Sequence, residues 1–349
     1  MKKNSIKILI VTNTNNKTIN HIVDSFYKRT DLEINTLHQS LTDSKGLVSI
    51  LEKIFYKLKL PLDTDNINKR LINEVKHFNP EVLFIIKGNL IKPSTLRSIK
   101  NINPNIILIS WTLDDMYASH NRSLYYKNGL NLYDHIFTTK SYNLTELNSL
   151  GAKKVHFLYQ AYSNIYHIPC KQCENSKYQF DVLFIGTAEK ERIDSLNYLA
   201  QNGIKINIYG GGWNKVNKTT LHNNLVINEY DLIGSDYADA ISCSKISLCF
   251  LRKINRDLHT SRSIEIPACK GFMIAERTNE HLDLFEENKE AVYFSNDCEL
   301  LEKVKYYLEN EKERLSISNN GYNKCVKKDY SYDNMVKKIL GKIWTKEYF

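Results

Sequence analysis

No apolar run in this chain of 349 residues reaches the roughly 18–20 residues that a membrane-spanning helix needs. Prolines number 6 and glycines 13, and no low-complexity tract or short repeat is present, which excludes fibrous and compositionally biased classes. Two site-level absences matter as well. Cys170-Lys-Gln-Cys173 is a CxxC with no second pair, and it reads as linker rather than zinc site. No DxD motif ends a strand where it would hold a cation. The opening "MKKNSIKILIVTNTNN" has an apolar core of only about six residues, which reads as a first strand and not as a signal segment. The expected location is the cytoplasm, and seven scattered cysteines, an odd number, suit a reducing compartment.

What is present is an ordinary globular composition, 42% hydrophobic and 25% charged, with length for two domains of about 150–180 residues. The net charge of +9, from 48 basic and 39 acidic residues, admits anionic partners: nucleotide phosphates, lipid headgroups or nucleic acid. A solvated lysine-rich surface accounts for it equally well.

Short β-rich runs alternate with helical stretches. Strands are expected at 6–12, 82–86, 105–110, 135–138 and 155–158, with helices such as "TINHIVDSFYKR", "NINKRLINEVKHF" and "YNLTELNSL" between them. Periodicity lapses at 162–179 and resumes with strands at 180–185, 205–209, 246–250 and 272–275 and helices at 189–201, 235–243 and 261–269. The expected class is α/β, two Rossmann-like doubly wound domains facing a central cleft. Their expected extents are 1–165 and 179–330, joined by a linker at 166–178, with a C-terminal helix in 331–349 packing back on the first domain.

Three stretches carry candidate chemistry. "RDLHTSRSIEIPACKGF" (256–272) crowds Asp257, His259, Thr260, Ser261, Arg262 and Glu265 before a short apolar helix. Thr260 or Ser261 is the expected N-cap, Pro267 shortens or kinks the helix and Gly271 closes it. Unpaired N–H groups at the helix start and the Arg262 fork would take a phosphate, and Asp257 and Glu265 would accept sugar hydroxyls. "DVLFIGTAEKERIDSL" ends a strand at Gly186 and Thr187 and sets Arg192 one turn into a helix, within reach of a diphosphate. Gly210, Gly211 and Gly212 follow the next strand, where they admit a ligand or merely form a loop. In the first half, "ILISWTLDDMYASH" places Asp114 and Asp115 at a strand end with His120 behind them, and "FIIKGN" does the same for Lys87 and Gly88. One acid would serve as general base toward an acceptor hydroxyl, with His120 next in line. The plainer alternative is that Asp115 caps the following helix.

These segments, in this order, resemble the CgeB-like glycosyltransferases, close to the group-one retaining family with the GT-B fold. The matching pieces include "VLFIIKGNLIKPSTL", "SWTLDD", "DVLFIGTAEKER", "INIYGGGW" and "SRSIEIPACKGFMIAE", and the resemblance covers roughly residues 80–340. It implies transfer of a sugar from a nucleotide-sugar donor, a UDP-sugar foremost, to a hydroxyl, with no cofactor and no metal. Group-one members carry two glutamates with seven residues between them. Here the pair is Asp257 and Glu265, so the first acid departs from the pattern. The resemblance gives Glu265 the nucleotide ribose, Asp257 the donor sugar, Arg192 the diphosphate, and Arg252 or Lys253 a further basic role. The expected acceptor is a bacterial surface glycan, a lipid-linked intermediate or another glycoconjugate, with peripheral docking at the inner membrane face. Alternatives are a phage-type DNA base as acceptor, a nucleotide-sugar epimerase, and a two-lobed binding protein without catalysis.

Overall fold

The central strands Val82–Ile86 and Val182–Ile185 are runs of consecutive apolar residues buried throughout, the mark of a parallel sheet covered by helices on both faces. The computed structural model describes residues 5–13, 17–39 and 47–344. It divides into two units, Met1–Tyr159 with Tyr332–Phe349, and Gln160–Ser331.

The first unit runs β1 (Ile6–Asn13), α1 (Lys17–Tyr27), β2 (Leu32–Gln39), α2 (Leu47–Lys57), α3 (Ile67–Phe78), β3 (Val82–Ile86), α4 (Pro93–Ile102), β4 (Ile107–Thr112), α5 (Leu124–Gly129), β5 (His135–Thr138), α6 (Asn143–Ser149) and β6 (Val155–Phe157). All strand pairs are parallel, in the order β2-β1-β3-β4-β5-β6. Every residue of β3 is buried. The last helix of the chain, Tyr332–Ile343, joins this unit by packing on α1. It buries Tyr332, Met335, Val336, Ile339 and Leu340, the 3.6-period face of an amphipathic helix. Lys28 and Asp333 close the contact at 3.0 Å. Residues 345–349 of the expected C-terminal helix lie outside the described residues.

The second unit runs β7 (Val182–Ile185), α7 (Lys190–Gln201), β8 (Ile206–Tyr209), β9 (Leu225–Asn228), α8 (Ser235–Cys243), β10 (Ile246–Cys249), α9 (Arg262–Ala268), β11 (Met273–Glu276), α10 (Asn279–Leu284), β12 (Val292–Phe294), α11 (Asp297–Glu309) and α12 (Glu311–Lys328). Its parallel sheet is ordered β12-β11-β10-β7-β8-β9. The chain lays strands outward from β7 in one direction, then returns to its other side with β10. That reversal is the topological switch point, and in such sheets ligands bind beyond the carboxyl ends of the two strands beside it. In this unit those ends carry Gly186 and Thr187, after β7, and Phe250 to Arg252, after β10.

Three strands escape the sequence reading: β2, β9 and β12. All three are edge strands. β2 mixes polar and apolar residues and is only partly buried, and β12 has three residues.

Candidate functional site

At the switch point, the loop after β7 is built against the loop after β8. The Gly186 N–H donates to Tyr209 O (2.8 Å), Ala188 N–H to Gly211 O (3.0 Å) and the Trp213 indole N–H to Gly186 O (2.8 Å). A Cβ on Gly210 (φ +127°) would meet Gly186 O at 2.5 Å, and one on Gly186 would meet the Phe184 ring at 2.6 Å. Two of the candidate ligand-binding glycines therefore serve loop-on-loop packing first. Gly211 differs, since a Cβ there meets nothing within 4 Å. Gly210→Ala is expected to cost about 1–3 kcal/mol of stability through backbone strain and collision, whereas Gly211→Ala stays within about 0.5 kcal/mol. Thermal unfolding of the two variants checks both.

Arg192 follows on the first turn of α7 and is 5% exposed. Its Nη1 donates to Thr187 O (3.2 Å) and Thr187 Oγ1 (3.0 Å), which fixes the loop. Burial pushes the Arg192 pKa down, Glu189 opposes this, and the charge of Arg262 adds to it. The Nε groups of Arg192 and Arg262 are both buried without a hydrogen-bond partner. Two guanidiniums in each other's field, each with an unspent buried N–H, offer charge-assisted donors suited to an anion. Glu189 does not fill that role, because its Oε1 bonds Arg252 Nε at 2.7 Å and stands 3.8 Å from Arg192.

Helix α9 corrects part of the expected phosphate site. It is seven residues long, and Ser261 at its start makes no side-chain cap bond. The N–H groups of Ser263, Ile264 and Glu265 donate to Thr260 O and Ser261 O, and the Thr260 N–H donates to Ser263 Oγ (3.0 Å). These N–H groups are spent within the turn, so positive charge for an anion comes from Arg262 rather than from a free helix end. The helix stop also differs. Lys270 takes the left-handed conformation (φ +61°), and Gly271 is required because a Cβ would lie 2.5 Å from Ile241 Cγ2.

Glu265 is 6% exposed and accepts a hydrogen bond from the Tyr237 hydroxyl at 2.6 Å. Its other oxygen stands 3.8 Å from His167 Nε2, beyond hydrogen-bonding distance. Ser163 N–H donates to His167 Nδ1 (2.9 Å), and burial lowers the His167 pKa against the opposing pull of Glu265. This places a neutral imidazole beside the carboxylate. Burial raises the Tyr237 pKa well above its ordinary value, which keeps the phenol a donor. Tyr237 and His167 were missed in the sequence, where each is a lone residue in an unremarkable context. Asp257 is half-buried, with Asn255 donating to its Oδ1 at 3.1 Å.

His259 is a correction. It is fully buried, its Nε2 accepts from Gln160 N–H (2.9 Å) and its Nδ1 donates to Glu280, so neither ring nitrogen remains for a donor sugar. The basic candidates Arg252 and Lys253 are paired with Glu189 and Glu276.

In the first unit, Asp114 and Asp115 separate sharply. Asp114 follows β4 and pairs with Lys87, which follows β3, at 2.6 Å; both are partly exposed. Lys87 and Gly88 hold positive φ there, +67° and +68°. Asp115 is fully buried and its Oδ1 accepts from Tyr117 N (3.1 Å), Ala118 N (3.2 Å) and Asn143 Nδ2 (2.9 Å). It ties down a turn rather than capping a helix, and as a general base it is spent. His120 is exposed on that turn and not on a helix face.

Among the described residues, no helix is long and apolar enough to cross a membrane. No curated protein sequence matches the chain. A family model described as glycosyl transferase-like matches residues 191–341. Solved structures match over nearly the whole chain at low identity. Sucrose-phosphate synthase from Thermosynechococcus elongatus is 9% identical with a TM-score of 0.69, over 97% of this chain and 99% of that one. HepE from Anabaena in complex with UDP-glucose is 11% identical with a TM-score of 0.67, over 97% and 99%. An alpha-glucosyltransferase in complex with UDP and a 13-mer DNA containing an HMU base is 13% identical with a TM-score of 0.67, over 98% and 100%. Residues 191–341, which include the paired arginines, are thus glycosyl transferase-like, and the two parallel six-stranded sheets give the chain the GT-B fold that these solved structures share.

Proposed function

We propose that the second unit binds a nucleoside-diphosphate sugar, a UDP-sugar foremost, and that the enzyme transfers the sugar to a hydroxyl of a bacterial surface glycan or glycoconjugate. The observation that carries this reading is the pair of unspent guanidinium N–H groups on Arg192 and Arg262. A diphosphate supplies the missing acceptors and relieves the repulsion between the two cations. Glu265 takes the ribose hydroxyls, oriented by Tyr237. Asp257, one methylene shorter than the glutamate of the group-one pattern, faces the donor sugar, with Thr260 and Ser261 in the same loop. Gly186, Thr187 and Gly211 line the approach of the diphosphate. In the first unit Asp114 is the acceptor-side base, with His120 as the next group to test. Membership of the narrower CgeB-like branch is part of the same proposal, as are a cytoplasmic location and docking at the inner membrane face.

Isothermal calorimetry with UDP, GDP, ADP and their sugars tests the donor class. One nucleotide is expected to bind and to raise the melting temperature, by about 2.7 kcal/mol of stabilisation at a hundredfold excess over Kd. Binding of none of them overturns the reading. Glu265→Ala is expected to weaken that binding by about 1–3 kcal/mol with the fold intact. Unchanged affinity removes the ribose assignment. Because guanidiniums carry the leaving group's charge in this reading, added magnesium or manganese is expected to leave turnover unchanged. Product analysis with glycan, lipid-linked and HMU-containing DNA acceptors separates the acceptor classes, the last being the kind of ligand in one of the matching structures.

A further inference from the structure

The CxxC segment plays no part in donor binding, yet the fold brings a third cysteine to it. Cys170 and Cys173 lie on the connector ahead of β7, and Cys243 is the last residue of α8. Their three sulfurs all lie within 4.8 Å of one another, and all three residues are half-buried. Cys173 and Cys243 are paired as a disulfide, with Cα atoms 5.0 Å apart. Cys170 remains a free thiol beside that pair, with Asp239 in its electrostatic field. Asp239 precedes Cys243 by four residues on α8, so the two side chains share one helix face.

A disulfide needs two sulfurs, and here a third thiol stands within attacking range of it. Thiol–disulfide exchange would let Cys170 compete for either partner, so the pair is a poor permanent cross-link. Three cysteine sulfurs this close are instead three corners of a tetrahedral zinc site, and Asp239, one turn before Cys243 on α8, is the carboxylate at hand for the fourth. The surroundings give such an ion structural work to do. Between β6 and β7 the connector has one short helical turn, Cys173–Asn175. Cys170 N–H donates to Ser242 Oγ (3.0 Å), and Ser242 Oγ–H in turn to Cys269 O (2.7 Å), which docks the segment on α8 and on the end of α9.

We propose that the reduced cluster binds zinc through Cys170, Cys173 and Cys243, with Asp239 as the fourth ligand, and that the ion fastens the connector to α8. Reaching that state from the disulfide takes a dithiol reductant. It gives two electrons and two protons to the Cys173–Cys243 bond and leaves as its own disulfide. Zinc then displaces three thiol protons to solvent. The same helix and connector carry Tyr237 and His167, the two residues beside Glu265. On the donor reading, and resting on it, the ion would steady both.

Cobalt(II) titration of the full chain, reduced with dithiothreitol and freed of reductant under nitrogen, tests the site independently of nucleotide binding. About one equivalent per chain is expected to bind, with the intense visible absorption of tetrahedral thiolate coordination, and zinc is expected to displace it. Cys170→Ser retains the disulfide partners and is expected to lower cobalt affinity at least about tenfold. Asp239→Asn, close in shape, is expected to do so by about 10–100-fold, the range that even outer partners of a metal command. It also serves as the second test should the cysteine variant fail to fold. Cys298→Ser, an exposed cysteine on α11, leaves binding unchanged. Absence of a stoichiometric tetrahedral spectrum, or affinity unchanged in Cys170→Ser or Asp239→Asn, overturns the site.

Discussion

Arg262→Ala is expected to lower donor affinity by about 10–100-fold while the protein stays folded. Its guanidinium Nε is buried without a partner, and each charge-assisted bond to a phosphate is worth about 1.5–3 kcal/mol. Arg192→Ala should lose at least as much, with a structural part added, because Nη1 also holds Thr187 O and Oγ1. The two contributions separate in one experiment. Donor affinity by calorimetry falls in both variants, and melting temperature falls chiefly in Arg192→Ala. Wild-type affinity in both variants would place the diphosphate elsewhere.

Asp114→Asn is expected to lower single-turnover rate by about 10²–10⁴-fold, the usual worth of a positioned general base, with donor affinity near wild type. Asp114 is the acid of the pair with capacity to spare. It is partly exposed, and its partner is the mobile end of a single lysine, Lys87. Asp115→Asn is expected to behave in the opposite way. It replaces an acceptor for three donors by an amide in a fully buried position. The loss of about 1–3 kcal/mol corresponds to a fall in melting temperature of roughly 2–4 °C per kcal/mol for a unit of this size, with little change in rate per folded molecule. Rate, donor affinity and melting temperature measured on both variants assign the roles. Full activity in Asp114→Asn moves acceptor activation to another residue, His120 first.

The neighbouring acids show where sequence reading stops. Asp114 and Asp115 follow the same strand and share the same local pattern, so local sequence treats them alike. Asp115 takes two donors from the turn that follows it, and the third, which completes its burial among donors, from Asn143, 28 residues further on. His259 sits within the most polar stretch of the chain, which made it a candidate. Its ring is committed to Gln160 and Glu280, 99 residues before it and 21 after it. The triple glycine is similar. Its composition marked a close approach, but only packing showed that the approaching group is the Gly186 backbone.

By itself the sequence determined the class of the fold and the places where its loops gather polar groups. Central strands of a parallel sheet are buried on both faces, so Val182–Ile185 or Val82–Ile86 must be continuously apolar and are visible in a single chain. Their carboxyl ends follow from them, and with those ends come Arg192, Asp114 and the loop before α9. Edge strands, half-solvated or very short, carry a weaker signature: β6 was legible, whereas β2, β9 and β12 emerged only from their neighbours. Only tertiary structure decided which polar groups remain unspent. Besides local bonds such as Arg192 to Thr187, the site is assembled by contacts across long chain separations, between groups that no local spacing relates. The convergence of Arg192 with Arg262, of Tyr237 with Glu265, and of Cys243 with the CxxC segment is of this kind. Each pair lies on different strand–helix units that the crossover connections bring together, so their meeting depends on strand order, which local pattern does not encode.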